Sequence, residues 1–563
     1  MGKFRVAIIN NLWNFIFHMA FLLTLLLNKA LKLPKDFEKL PLNLNTFELD
    51  PSNSFVTEFL WDFLEGLELR EKFYYKELGE KKSYPVKEFS FHGFSWLATL
   101  SSINNKKARD FTKMVIDKLG CFGNRYSANS WQLDIASSRL SAICLNIRFL
   151  DLSKNLGDQK NIILFIRFHV IYLTFCKLFC FKGLKSLRLH SSIFFASLIL
   201  GDAYAKRHGI LKRIIKDASF LLNKNGEIKS RNAAELLEIL FLVNRLIRFS
   251  STAELSRGKV DAELKRIQNK VAPVLRGLRL GSGRLVRACG SGGETTQWNL
   301  DKELFDAKLS DFSIRKRAMG FHRVSAGRLR LIFDGKSALD SVQSNELSCP
   351  AFSFELSSGQ RTIFQNNVPF KFFLGDSDGI ARSPKQYNSV QYSLARRFRK
   401  ASKWSVKIVR VKDYRDHENH YLEGEKVINI DQLNLSHWRK LIIPSSGNGV
   451  IGRDLISIDS GKMAEYGPIN VQFFLHPSVD VWKTNESNYF LLQLKNKELW
   501  NFETDMNNGF LENYNYLDPT DLQERIGYKI VLQRRLTTQT FSIDWRLFIQ
   551  SHSTRITREK INF

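Results

Sequence analysis

Tyr387 stands among cations, with Arg382 and Lys385 before it and Arg396 after it. Positive charge near a phenol favours its ionised form, so a tyrosine in that setting can act as a base. The plainer alternative is an ordinary loop tyrosine. His437 opens the run His437-Trp438-Arg439-Lys440. An imidazole there can hold a carboxylate, or the run can simply face solvent. Trp438 offers a flat face for a pyranose ring, and Arg439 and Lys440 add carboxylate recognition. In Ser230-Arg231-Asn232, ahead of Ala233-Ala234-Glu235, Asn232 fits a helix N-cap and Glu235 the capping-box position. His322 and His476 are accounted for more simply as hydrogen-bonded structural residues. Trp96, Trp131, Trp298, Trp404, Trp482 and Trp500 fit a core, because aromatic residues dominate apolar burial.

Two kinds of element must position these groups. From Asp50 to Leu280, apolar residues recur at three- and four-residue spacing, as in Ser54–Leu67, Lys106–Leu119, Gln132–Leu150 and Ala233–Phe249. Many short antiparallel helices in one domain predict an incomplete α/α toroid or a helical solenoid. After Gly281 the pattern changes to short apolar runs between turns: Leu329–Phe333, Phe352–Leu356, Thr362–Phe364, Val406–Val411, Asn470–Leu475, Tyr489–Leu494, Lys529–Leu532 and Thr540–Leu547. Asp334-Gly335, Ser358-Gly359 and Asn508-Gly509 mark turns near them. Such runs predict a β-sandwich of antiparallel sheets. The expected order is an apolar helix and linker (1–49), a helical domain (50–280), a linker (281–319), a β domain (320–549) and a basic tail (550–563).

With 563 residues, 44% hydrophobic and 25% charged, the chain suits a folded protein of two domains. Lys and Arg number 84 against 56 Asp and Glu, a net charge of +28. That surplus favours polyanions: nucleic acid, acidic membrane, or uronate and sulfate polysaccharide. No zinc-finger spacing, RNP-type strand, Walker or dinucleotide fingerprint is present, so no specific nucleic-acid partner is expected. The six cysteines contain no C-x-x-C and indicate no disulfide framework. Cys176 and Cys180, four apart on an apolar helix, read as buried hydrophobes. Leu12 to Leu27 follows Lys3 and Arg5 like a signal peptide, yet no small-x-small cleavage pattern follows. As a helix it reaches about 24 Å, short of a bilayer core of about 30 Å. It is expected to pack on the protein or to make peripheral membrane contact. Both envelope or periplasm and cytoplasm remain open. Ile162 to Phe181 carries Arg167, His169 and Lys177, which favours a buried helix over a span.

The motif order resembles the bacterial heparinase II/III family. The residues that carry this are Phe91-His-Gly-Phe-Ser-Trp-Leu97, Trp131-Gln-Leu-Asp134, Asn225-Gly-Glu-Ile-Lys-Ser-Arg-Asn232, Val271-Ala-Pro-Val-Leu-Arg276, Gly320-Phe-His-Arg323, Phe352–Leu356 and Phe473-Phe-Leu-His-Pro-Ser-Val479. The resemblance implies an α/α toroid followed by a β-sandwich, and β-elimination on an acidic, uronate-containing glycan. A base removes the proton beside the carboxylate, an acid protonates the leaving oxygen, and a clamp neutralises the carboxylate. In the family a Tyr and a His do the proton transfers, and some members hold zinc through His and Asp. Here the corresponding places fall on Ser348, Asn366 and Tyr387, so neither metal nor cofactor is expected. A His common before the Ser-Arg-Asn turn is replaced by Ile228. The resemblance then leaves Tyr387 and His437 as catalytic candidates, with Arg231, Asn232, Arg279, Trp438 and Arg439 as substrate-binding candidates around one groove. Alternatives are a non-catalytic relative that binds an acidic glycan or envelope polymer, and a basic protein for nucleic acid or membrane surfaces.

Overall fold

The computed structural model describes residues 93–550 apart from 95, 105, 122–130, 152–155, 181, 201–208, 253–258, 292–296, 309–313, 337–350, 368–385, 392–403, 431–432, 459–466, 485–487, 519–523 and 536–537, together with 19–21 and 23. The segment Ser54–Leu67, most of the N-terminal apolar run, Ser348, Arg382, Lys385, Arg396 and nearly all of the basic tail lie outside the described residues.

The first half is helical: α1 (Leu97–Ile103), α2 (Lys106–Cys121), α3 (Leu133–Leu145), α4 (Leu156–Cys176), α5 (Leu184–Leu200), α6 (Ile210–Leu221), α7 (Ala233–Thr252) and α8 (Lys259–Gly277). Their apolar faces share one continuous core. Phe21 is fully buried in it, with its ring 4.8 Å from that of Trp131 and 5.5 Å from that of Phe168. At that residue the N-terminal run packs on the protein. Helix α4 belongs to the one stretch among the described residues that is long and apolar enough to cross a membrane, and more than half of that stretch is buried. Its polar residue is served from within: Arg139 Nε donates to His169 Nε2 at 2.9 Å. Burial lowers Arg139 to about 9 and pushes His169 well below its usual value. The stretch expected to be linker holds a further helix, α9 (Gln297–Asp306), tied to α7 through Asn244 and Arg245 on Glu303.

Among its described residues the β half has seventeen strands, all paired antiparallel. They are β1 (Arg317–Ala318), β2 (Phe321–Ala326), β3 (Leu329–Asp334), β4 (Phe354–Ser358), β5 (Arg361–Phe364), β6 (Val390–Gln391), β7 (Trp404–Arg415), β8 (Asn419–Ile430) and β9 (Leu433–Pro444). There follow β10 (Gly449–Ile458), β11 (Ile469–Phe474), β12 (Asp480–Lys483), β13 (Tyr489–Gln493), β14 (Leu499–Thr504), β15 (Phe510–Leu517), β16 (Glu524–Arg534) and β17 (Thr540–Ile549). They form a five-stranded sheet β1-β2-β3-β4-β5, an eight-stranded sheet β12-β13-β14-β17-β10-β9-β8-β7, and a four-stranded sheet β15-β16-β11-β6. One core joins residues of all three, in the manner of a sandwich with the large sheet on one side. Trp545 of the large sheet stacks on Phe354 at 5.7 Å and meets Phe473 edge-on at 4.8 Å. Gly452 lies under that indole because a Cβ there would come 2.1 Å from its ring. Strand β7 is the large sheet's edge, and its pairing with β8 slips between Ile408 and Arg410.

Candidate active site at the domain seam

Helices α3, α5 and α7 bring their N-termini to one end of the helical domain. Arg188, in the second turn of α5, is gripped by Glu238 of α7 through two guanidinium nitrogens, one at 2.6 Å, and by Asp134 of α3 at 3.2 Å. Lys185 reaches Asp134 at 3.3 Å and is largely exposed. The two carboxylates hold Arg188 charged, above its ordinary value despite burial. Asn232 starts α7 as expected of an N-cap: its Oδ1 accepts from the N–H groups of Ala234 and Glu235 at 2.9 and 3.2 Å. Glu235 does not close a capping box; it takes the Ser230 hydroxyl instead. Glu238 lies six residues into the helix from that cap, about 9 Å along the axis.

This end faces the β half. Arg231, in the left-handed region at φ 58°, donates to Met319 O at 2.7 Å and Lys336 O at 3.1 Å, and pairs with the buried Asp334. Its guanidinium also lies 4.6 Å from the Phe321 ring centre. Beside Asn232 runs the Gly-rich connection. A Cβ on Gly290 would stand 3.3 Å from Asn232 Nδ2, and the backbone there has φ +82°, so glycine suits both space and conformation. Three residues earlier, the Arg287 N–H donates to both oxygens of Glu355 at 3.2 Å, and Asn366 N–H donates to the same carboxyl at 2.9 Å. Burial raises Glu355 to about 8 against those donors. Asn366 donates its amide to Arg287 O and accepts from Asn388 N–H. Asn388 bridges Phe354 O and Phe474 N–H. An unbroken set of contacts thus links Asn232, the connection, and the segment that carries Tyr387.

On the outer side of that set, strand β15 supplies Tyr516. The Arg287 guanidinium lies 4.7 Å from its ring centre, and Arg284 Nη1 donates to its hydroxyl at 3.3 Å. The His476 ring is 5.7 Å from the Tyr516 ring. His476 Nδ1 faces the Ser478 hydroxyl at 2.7 Å and the Ser478 N–H at 3.2 Å. Burial and then Arg284 lower His476 to about 3, so it is neutral at pH 7. Arg284 is a quarter exposed, and His476, Asn367 and Gln386 are half-buried. Among the described residues of the seam these are the partly exposed ones, whereas Tyr516 is buried.

The expected site residues divide accordingly. Tyr387 and Asn232 lie on the seam, with Tyr387 buried against the helical core. Arg231 fastens the two halves beside it. Arg279 is on the connection, paired with Asp301 at 2.6 Å. His437 and Arg439 require correction as ligand-contacting groups, because both are fully buried inside the sandwich on Asp454, at 2.7 Å each. They act from beneath: Arg439 Nη1 donates to Phe352 O and Asn388 O at 2.8 and 2.9 Å. Burial lowers His437 to about 3. Trp438, by the two-residue period of β9, points to the opposite face of the large sheet from His437 and Arg439, so it does not share their surroundings. Arg284, Arg287 and Tyr516 were not singled out by sequence reasoning; the signal was an Arg-x-x-Arg in the Gly-rich connection.

A helical half is thus followed by an antiparallel sandwich, with charged and phenolic groups at their junction. Residues 313–546 match the family described as Heparinase II/III-like, C-terminal. A crystal structure of heparinase III aligns with a TM-score of 0.62 at 12% identity, covering 84% of this chain and 78% of that one. Another heparinase III gene product gives 0.51 at 11% identity, covering 82% and 78%. A mutant heparan sulfate lyase from Pedobacter heparinus gives 0.50 at 10% identity, covering 83% and 77%. No curated protein matches the sequence significantly. Over residues 313–546 the chain is similar to the heparinase II/III-like C-terminal domain, and it shares its fold with the solved heparinase III structure.

Proposed function

We propose that the chain is a polysaccharide lyase that cleaves an acidic, uronate-containing glycan by β-elimination at the seam between its two halves. The observation that carries this reading is the grouping of Tyr516, His476 and Arg284 on the fold of heparinase III. In this reading Arg284 neutralises the uronate carboxylate as negative charge develops, with the neutral His476 ring beside it. In the elimination the C5–H bond breaks, the C4–O bond breaks, a C4–C5 double bond forms, and the leaving oxygen gains a proton, while the buried Tyr516 orients Arg284 and His476. Arg287, buried against the Tyr516 ring, positions that ring and touches no substrate.

The test is incubation with a panel of uronate polymers while the ultraviolet absorbance of the unsaturated product is followed. Arg284→Ala is expected to lower the rate by roughly 10²- to 10³-fold, the usual cost of removing one donor to the developing charge. Full activity in Arg284→Ala would remove the assignment. A second reading, binding of an acidic glycan without turnover, is favoured by Asn366 and Tyr387. The first has its amide committed to Arg287 O and Asn388 N–H, and the second is buried. Saturable binding with no unsaturated product would select it.

A further inference from the structure

One surface of the helical domain joins exposed apolar side chains to cations with no exposed acid between them. The connection from α4 to α5 carries Leu178, 76% exposed, and Phe179, 44% exposed. Phe220 near the end of α6 is 46% exposed. These belong to one patch. Lys182 of the connection lies 5.9 Å from the Phe220 ring centre, and Lys229 of the turn before α7 lies 4.8 Å from it. Lys177 sits close enough to Arg213 of α6 for that charge to lower it further below its ordinary value, beyond the effect of burial. Lys212, Arg213 and Lys216 are exposed along α6. Among the described residues of 177–182 and 210–229 the acids are Asp217 and Glu227. Asp217 is buried on His190 and Ser186. Glu227 is taken by Met319 N–H and the Asn223 amide.

We propose that this patch docks the protein on a bilayer surface that contains anionic phospholipid. A leucine three-quarters exposed beside a phenylalanine has little to offer a sugar, which is held by flat aromatic faces and hydrogen bonds. Of the two exposed rings named, Phe220 already has ammonium groups over it. Apolar tips ringed by lysine are what an interface selects: the tips enter the acyl boundary, the lysine stems lie along it, and their heads meet phosphate. The patch lies at the same end of the domain as Arg188 and Glu238, since both α4–α5 and α6–α7 connections are there. The inference does not rest on lyase chemistry.

The experiment uses the full chain with vesicles of phosphatidylcholine, alone and mixed with phosphatidylglycerol, and measures co-sedimentation. The expected result is binding to the mixed vesicles only, weakened at least about tenfold by Leu178→Asn with Phe179→Ser. Because both side chains are exposed, melting curves are expected to be unchanged. A charge variant, Lys212→Glu with Lys216→Glu, is expected to weaken binding as well. Three outcomes would each overturn the proposal. In the first the wild-type chain does not sediment with mixed vesicles, and in the second the apolar double variant binds them as well as wild type. In the third, that variant loses affinity for soluble heparin to the same degree as for vesicles, which would make the patch a glycan surface.

Discussion

Asp454→Asn tests the buried centre that supports the segment bearing Tyr387. Asp454 stands opposite Arg439 in the β9–β10 register and takes its Nε at 2.7 Å and Nη2 at 3.1 Å. It also holds His437 Nε2 at 2.7 Å and accepts from the Trp545 indole at 3.2 Å. Lys426, equally buried and lowered to about 7 by burial and then by Arg439, lies nearby. Asparagine keeps the shape and removes the charge, leaving Arg439 facing Lys426 without a counter-ion. Breaking a buried pair in this way costs about 3–5 kcal/mol. For a domain of this size each kcal/mol moves the melting temperature by about 2–4 °C, so a fall of roughly 10 °C is expected. Near-ultraviolet circular dichroism reads it directly, because Trp545 reports on the same core. The control is Arg453→Met, which breaks the pair with Asp544 on the solvent side of the same strand. There the partly exposed pair is worth about 1 kcal/mol or less. If Asp454→Asn melts no lower than Arg453→Met, the inner charge cluster does not hold the sandwich together as argued.

Two further outcomes are expected. Asn232→Ala removes the cap of α7 and should lower stability by about 1 kcal/mol in urea unfolding, whereas Asn232→Asp should retain most of it. Stability should also rise with pH between about 3 and 6.5 at up to about 1.4 kcal/mol per pH unit from His437 alone. The sign follows from its folded value of about 3: in that window the unfolded chain binds the proton and the folded chain does not. A His437→Gln variant with an unchanged pH slope of unfolding would refute this.

The change from helical to strand spacing near Gly281 was legible because the core faces of the two halves obey different periods. Leu329–Phe333 and Thr540–Leu547 announce themselves as strands by near-continuous or alternating apolar residues. Strands β8 and β9 did not, since Glu423, Glu425, Lys426, His437 and Arg439 give them a polar look. The inward members of that set are paired within the core rather than solvated, and pairing across strands leaves no mark on local sequence. Asn232 as a cap was readable from six consecutive residues. Tyr516 was not, because its setting is made by Arg284 and Arg287 more than two hundred residues earlier. Charge neighbours along the chain drew attention to Tyr387, yet Arg382, Lys385 and Arg396 lie outside the described residues, and what surrounds the phenol is the helical core. His437 and Arg439 carried the right chemistry, but only tertiary burial decides whether such a pair faces a ligand or an aspartate.

The edge strand β7 has a bearing on how the protein behaves in concentrated solution. A free sheet edge offers a row of unpaired N–H and C=O groups on which another chain can add. Here that edge presents Lys407, Arg410, Lys412 and Arg415, all exposed, and its register breaks between Ile408 and Arg410. A second copy approaching edge-on would bring like charge against like charge and find no continuous ladder to extend. The opposite edge, β12, is only four residues long and ends in Lys483. Part of the chain's positive charge therefore guards against strand-to-strand aggregation, and neutralising the β7 cations should make the protein precipitate before it makes it unfold.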